Sequence, residues 1–190
     1  MSDTLSHQFI WLDFETTGLD PNAGLILEWA LVLAEDGPGG DLTPVHEYTG
    51  LITYPDLKFV RELMPARVAE MHTKSGLLGE LEAGEGESLE DTDGILLAIL
   101  HEHCGAEAKD LVLAGANVGA FDLPWARVHL PRFAKCLHYR SYDSNTLALE
   151  AQARFGVTLK RDSAHRALAD VHQSLAVVRE FRALTQRTES

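Results

Sequence analysis

The stretch Phe9-Ile10-Trp11-Leu12-Asp13-Phe14-Glu15-Thr16-Thr17-Gly18 constrains the fold more than any other part of the chain. Its first four residues are large, apolar and partly β-branched, the pattern of a strand covered on both faces. The run then ends in two carboxylates, Asp13 and Glu15. Residues two apart on a strand share a face, so both acids project the same way from one strand end. Burying adjacent negative charges is costly unless something positive neutralises them. No Lys or Arg occurs in the ten residues that follow, and a divalent cation is the simplest answer. With 29 acidic residues in the chain, such pairs arise on the order of four times by chance, so spacing alone is a weak signal. Glu80/Glu82, Glu85/Glu87 and Asp91/Asp93 show the same spacing in a polar, Gly-containing stretch and read as solvated. Only Asp13/Glu15 ends a strand of the buried type.

A length of 190 residues with 45% hydrophobic content fits one domain, residues 1–190, with a core over about 9–182. Sixteen basic against 29 acidic residues give a net charge of −13, which excludes a broad basic face for long duplex nucleic acid. A substrate making few phosphate contacts remains compatible, above all if bound metals reverse the local potential. Cys104 and Cys136 are far apart and in no metal-type spacing. They read as buried small apolar residues or as free thiols of a reducing compartment rather than as a disulfide. No basic segment followed by an apolar core opens the chain. The longest apolar run, Leu25 to Ala34, is broken by Glu28 and is too short to span a bilayer. The chain reads as cytosolic and soluble.

Taken in order, residues 16–22 have turn chemistry, and Leu25 to Glu35 predicts a second strand, apolar except for Glu28. That glutamate is either a partner behind the metal site or a hydrogen-bonded strand-end residue, the second being favoured. A loop at Gly37-Pro38-Gly39-Gly40 leads to a third strand, His46 to Tyr54, whose arrival after a short connection predicts a hairpin or meander. Pro65 opens a helix carrying Val68 and Met71, with His72-Thr73-Lys74-Ser75-Gly76-Leu77 as its exit. Gly79 to Gly94 holds seven acidic residues and no basic ones, the pattern of an exposed loop or solvated helix face. Ile95 to His103 continues as a helix. His101, His103 and Cys104 read as non-ligands, because positions 101 and 103 face different ways.

Leu111 to Gly115 is a fourth strand. It leads through Ala116-Asn117-Val118-Gly119-Ala120-Phe121-Asp122 into a helix with Trp125, Val128 and Leu130. Tyr139 to Asp143 is a fifth strand, and Thr146 to Phe155 a helix stopped by Gly156. Asp162-Ser163 supplies capping chemistry for a last helix with the apolar stripe Ala164, Leu168, Val171, Leu175 and Val178. Asp170 lies beside that stripe. His165, five residues earlier, is about 140° away on an ideal helix, so it shares a site with Asp170 only from the loop or first turn. Strands, interleaved helices, and carboxylates at strand ends and helix starts define an α/β sheet with a site along its edge.

Asp13-Phe14-Glu15, then Asn117 to Asp122, then His165 and Asp170, resemble in order and separation the three motifs of the DEDDh 3′→5′ exonucleases. Ile10 to Pro21 and His72 to Leu77 are most like the oligoribonuclease family within that superfamily. The similarity runs from about residue 9 to about residue 180. It implies a ribonuclease H-like exonuclease fold, a mixed five-stranded sheet flanked by helices with the third strand antiparallel. It implies phosphodiester hydrolysis with two divalent cations, Mg²⁺ or Mn²⁺, for which Asp13, Glu15, Asp122 and Asp170 give hard oxygen ligands. Two ions about 4 Å apart stabilise the attacking and leaving oxygens of such a displacement. His165 suits the general base, an imidazole having a reference pKa of about 6.5. Singly, Asp122 reads as a helix N-cap, Asp170 as a surface carboxylate and His165 as a polar loop residue; jointly they read as a nuclease site.

The resemblance also implies substrate contacts: Leu19 against the terminal bases, His72 near the 3′ nucleotide, Asn117 as a further substrate-binding residue, and Tyr139, Arg140 and Thr146 around the 5′ phosphate, partly across a homodimer. Arg140 can hold phosphate bidentately. The chain departs from the family at Arg67, where oligoribonucleases carry Trp, and at Asn145, where they carry Ser. Phe121 before Asp122 is more like proofreading exonucleases. The implied activity is therefore hydrolysis of short single-stranded RNA to nucleoside 5′-monophosphates, with a proofreading or repair exonuclease on single-stranded DNA as the rival. A non-catalytic nuclease-fold binding module would lack a ligand or base, and here all five positions are filled.

Overall fold

The structure, a computed structural model, describes residues 9–37, 41–105, 108–160 and 164–187. Its centre is β1 (Phe9–Thr16). Strands β2 (Ile26–Asp36), β3 (Leu42–Leu51), β4 (Leu111–Gly115) and β5 (Leu137–Asp143) complete one sheet in the order β3-β2-β1-β4-β5. β1 pairs antiparallel with β2 and parallel with β4, and β5 runs parallel to β4. β2 and β3 are antiparallel, which returns β3 to the direction of β1. The antiparallel strand is therefore the second in chain order, not the third. The short connection 17–25 leaves no room for the crossover that a parallel neighbour needs, and it is closed by Thr17 N–H to Leu25 O and Leu25 N–H to Thr17 Oγ1, both 2.9 Å.

The alternation along β1 sorts its residues between two layers. Ile10, Leu12 and Phe14 pack with Leu96, Ile99 and Leu100 of α4 (Leu89–Cys104), Leu123, Trp125 and Ala126 of α5 (Asp122–His129) and Phe133 of α6 (Pro131–Ala134). Trp11 packs on the other face with Ala167, Val171, Leu175 and Val178 of α8 (Ala167–Arg187). Asp13 and Glu15 have the parity of Trp11, so the sheet aims them at the α8 side. A further cluster holds α1 (Leu57–Glu62), α2 (Ala66–Lys74) and α3 (Leu77–Glu82) against Leu27 through Val60, Leu77 and Leu81. α7 (Ser144–Phe155) ends at Gly156 in the left-handed conformation, as its sequence predicts.

Several boundaries differ from the sequence reading. β3 starts at Leu42, and α4 starts at Leu89 behind Ser88, whose hydroxyl accepts the Asp91 N–H. The acidic stretch 79–94 is thus the end of α3, a loop and the first turns of α4. Asp93 within it is buried, not solvated: it accepts the Phe133 N–H at 2.8 Å and the Arg132 N–H at 3.0 Å, capping α6. The α8 stripe loses Ala164, which is exposed ahead of the helix, and gains Ala167. The capping assigned to Asp162 and Ser163, and Pro38 to Gly40 of the early loop, lie outside the described residues. Cys136 is buried in the core with Cys104 partly buried against it, and burial raises both thiols above the usual range. No helix among the described residues is long and apolar enough to cross a membrane.

Candidate active site

β1 carries Asp13 and Glu15 to its carboxyl end in the middle of the sheet, Asp13 half-buried and Glu15 only 6% exposed. β4 lies parallel beside it, with Trp11 opposite Ala114, and so delivers the next segment to the same end. The two backbones are tight at the exit: a Cβ on Gly115, whose φ is +158°, would meet Leu12 O at 2.7 Å. The loop then bends through Asn117, at a φ of +57°, into α5. Its first residue, Asp122, is buried and accepts the Phe14 N–H at 2.9 Å. That bond locks the second motif onto the strand bearing the first.

α8 brings the third motif from the opposite layer. Asp170 lies in its first turn, buried, and its Oδ1 accepts the Ala164 N–H at 3.0 Å. The chain thereby folds back over the helix start and presents His165 from the loop, at a φ of +53°, as the angular argument requires. Glu15, His165 and Asp170 each offer a ligand atom, all within 4.8 Å of one another. Asp122 and Asp13 lie outside that group, Asp122 close enough to act on the charge of Glu15 and Asp13 two residues before Glu15 on the same face.

The electrostatics are those of an acid pocket short of positive charge. Burial pushes the Glu15 carboxyl up to about 8, and repulsion from Asp170, Glu28 and Asp122 adds to it; Arg166 opposes. Two carboxyl groups and an imidazole within 4.8 Å, with Asp122 near enough to act on them, are a donor set suited to a hard divalent cation, and the cost of ionising Glu15 is one that such a cation removes.

The implied substrate residues fall into different settings. Leu19 stands 86% exposed on the turn after β1. Tyr139 is exposed and, with Thr146 and Tyr142, lines a cavity of about 530 Å³. The Arg140 guanidinium lies 5.2 Å from the Tyr139 ring centroid. Asn117 accepts from the Asn145 side chain at 2.9 Å, linking the second motif to α7. His72 differs from expectation. It is fully buried, with Nε2 2.9 Å from Thr16 O and Nδ1 3.8 Å from Glu15, so it supports the end of β1 instead of offering a face to a nucleotide. Burial also lowers its pKa, favouring the neutral ring. A second cavity, about 410 Å³, opens beside His165 and is lined by Arg67, Glu70, Met71, Lys74 and Ser75, with Lys74 paired to Glu70 at 2.6 Å.

Sequence reasoning missed Arg166. Its guanidinium grips the buried Glu28, which also accepts the Ala167 N–H at 3.0 Å. The available signal was an arginine directly after His165 and a lone acid in the apolar run of β2.

No family model matches the chain. It is 32% identical over 180 residues to an oligoribonuclease of Corynebacterium diphtheriae, covering 92% of this chain and 81% of that one. An oligoribonuclease of Bordetella pertussis is 32% identical over 181 residues, covering 93% and 94%. Among solved structures, E. coli exonuclease I in complex with a dT13 oligonucleotide superimposes with a TM-score of 0.66 at 16% identity over 95% of this chain. The zinc-bound form of the exonuclease I–ssDNA complex gives 0.65 at 16% identity over 94%. The chain spans about two-fifths of exonuclease I, and this likeness establishes a ribonuclease H-like fold. With oligoribonucleases matched at this identity over 81% and 94% of their length, the chain belongs to the oligoribonuclease family of DEDDh-type 3′→5′ exonucleases.

Proposed function

We propose that this exonuclease hydrolyses short single-stranded oligoribonucleotides to nucleoside 5′-monophosphates, with Asp13, Glu15, Asp122 and Asp170 holding two divalent cations, Mg²⁺ or Mn²⁺. The observation that carries this reading is the convergence of Glu15, His165 and Asp170 within 4.8 Å, at a point where Glu15 is hard to ionise unaided. The cations supply Lewis-acid stabilisation of the attacking and leaving oxygens. His165 takes a proton from the attacking water as its oxygen bonds to phosphorus and the bond to the 3′ oxygen breaks. The left-handed turn at His165 and the Ala164–Asp170 bond hold the imidazole over the carboxylates. Leu19 meets the terminal bases, and Arg67 in the cavity beside His165, where Lys74 is paired with Glu70 at 2.6 Å, gives a net acidic protein a local cation for a phosphate backbone. Tyr139, Arg140 and Thr146 take the 5′ phosphate, completed by the second protomer of a homodimer.

One observation favours a second reading, single-stranded DNA as substrate: the exonuclease I structures of matching fold carry DNA oligonucleotides. Labelled RNA and DNA of two and seven residues, incubated with Mn²⁺, separate the two. Preferential turnover of the RNA dinucleotide is expected. Efficient digestion of the longer DNA with little dinucleotide cleavage would reverse the assignment.

A further inference from the structure

Arg166 stands between His165 and the first residue of α8, and its side chain joins acids from two other elements. Its Nε lies 3.1 and 3.2 Å from the two oxygens of Glu28, and its Nη2 donates to Glu28 Oε1 at 3.0 Å. Nη1 and Nη2 also reach Glu80 of α3 at 2.8 and 2.7 Å. Both pairings are the two-pronged kind that fixes geometry as well as charge. Glu28 is buried on β2, directly opposite Glu15 in the strand register, and its second oxygen takes the Ala167 N–H. At the residue after His165, then, the sheet, α3 and the start of α8 are tied together. His165 itself holds a backbone conformation that side-chain-bearing residues avoid, so something must hold it there.

We propose that Arg166 is a positioning residue for hydrolysis. Its Glu28 arm fixes the backbone on which His165 turns, keeping the imidazole over Glu15 and Asp170. Its Glu80 arm, on α3, sets the distance between His165 and the α2 wall of the neighbouring cavity, where Arg67, Glu70, Met71 and Lys74 lie. A plain structural tether would set stability alone; a positioning residue sets turnover. The inference rests on the reading of His165 as base.

The test compares wild type with Arg166→Gln, Arg166→Lys and Glu80→Gln, using the p-nitrophenyl ester of thymidine 5′-monophosphate with Mn²⁺. The His165 Cε1–H resonance, assigned by its loss in His165→Ala, is followed in the metal-free proteins. Arg166→Gln is expected to lower kcat at least about tenfold with KM within about twofold, because small displacements of a reacting group are costly. Its His165 resonance should shift or broaden, and Arg166→Lys, which reaches one acid but not both, should fall between it and wild type. Glu80→Gln removes only the half-exposed arm and should lower kcat roughly two- to fivefold at unchanged melting temperature. A folded Arg166→Gln with wild-type kcat and resonance overturns the proposal, as does a loss confined to KM. If Arg166→Gln does not fold, a Glu80→Gln unchanged in both readouts overturns it. The resonance needs no turnover, so an inactive wild type would sink the nuclease reading while the clamp is still judged.

Discussion

Asp93 and Glu15 are both buried carboxylates, 4% and 6% exposed, in opposite surroundings. Asp93 looks out on donors: two backbone N–H groups of α6 at 2.8 and 3.0 Å and the Arg132 Nε at 3.3 Å. Glu15 looks out on acids, with Asp170, Glu28 and Asp122 all opposing its charge. One carboxylate completes a helix start and belongs to the architecture. The other sits where the fold alone cannot satisfy it, the mark of a site kept for a ligand. Burial does not separate the two roles. The sign of what faces the carboxylate does.

The sharpest way to break this contrast is Asp170→Asn, which removes a charge from the acid pocket but keeps an oxygen for the Ala164 N–H. Hydrolysis should fall at least about a thousandfold with the melting temperature of the metal-free protein unchanged or raised. Activity within tenfold of wild type would remove Asp170 from the site.

The next effect is on stability. The folded Glu15 carboxyl titrates at about 8 and an unfolded one near 4.5. Between those values the native state holds a proton that the unfolded state has released, so metal-free stability falls as pH rises through that window. Glu15→Gln should cancel the fall, making the metal-free variant more stable than wild type by up to about 5 kcal/mol at pH 9 and no different at pH 4. Parallel stability–pH curves would show that neither burial nor the neighbouring acids oppose the Glu15 charge. Asp93→Ala gives the smallest effect and the opposite sign. Leaving two buried N–H groups unpaired should cost about 2–3 kcal/mol in denaturant unfolding at every pH from 6 to 9, with kcat within twofold of wild type. A large fall in kcat would mean that Asp93 serves the site after all.

Much of this contrast was legible beforehand, and the illegible part has one cause. The strand ending in Asp13 and Glu15, the turn into Asp122 and the loop start of α8 are local patterns, and local patterns survive in the sequence. Asp93 was read as solvated because its neighbours are acidic, whereas its partners lie on α6, 39 and 40 residues later. Arg166 meets Glu28 across 138 residues, a separation that periodicity does not reach. His72 was assigned to the substrate by resemblance, but its place under Thr16 depends on how α2 docks on the strand end. The direction of β2 was within reach, since the short turn behind Thr16 already dictates a reversal.

The position of α8 in chain order has a temporal consequence. A ribosome delivers β1 early and α8 late, and about 155 residues separate Glu15 from Asp170, roughly 8–30 s of synthesis at 5–20 residues per second. Throughout that interval the nascent protein has carboxylates from its first strand but neither Asp170 nor His165 to set beside them. The convergence of Glu15, His165 and Asp170 therefore comes into being only once α8 has been made, as the last act of the chain's assembly and not its first.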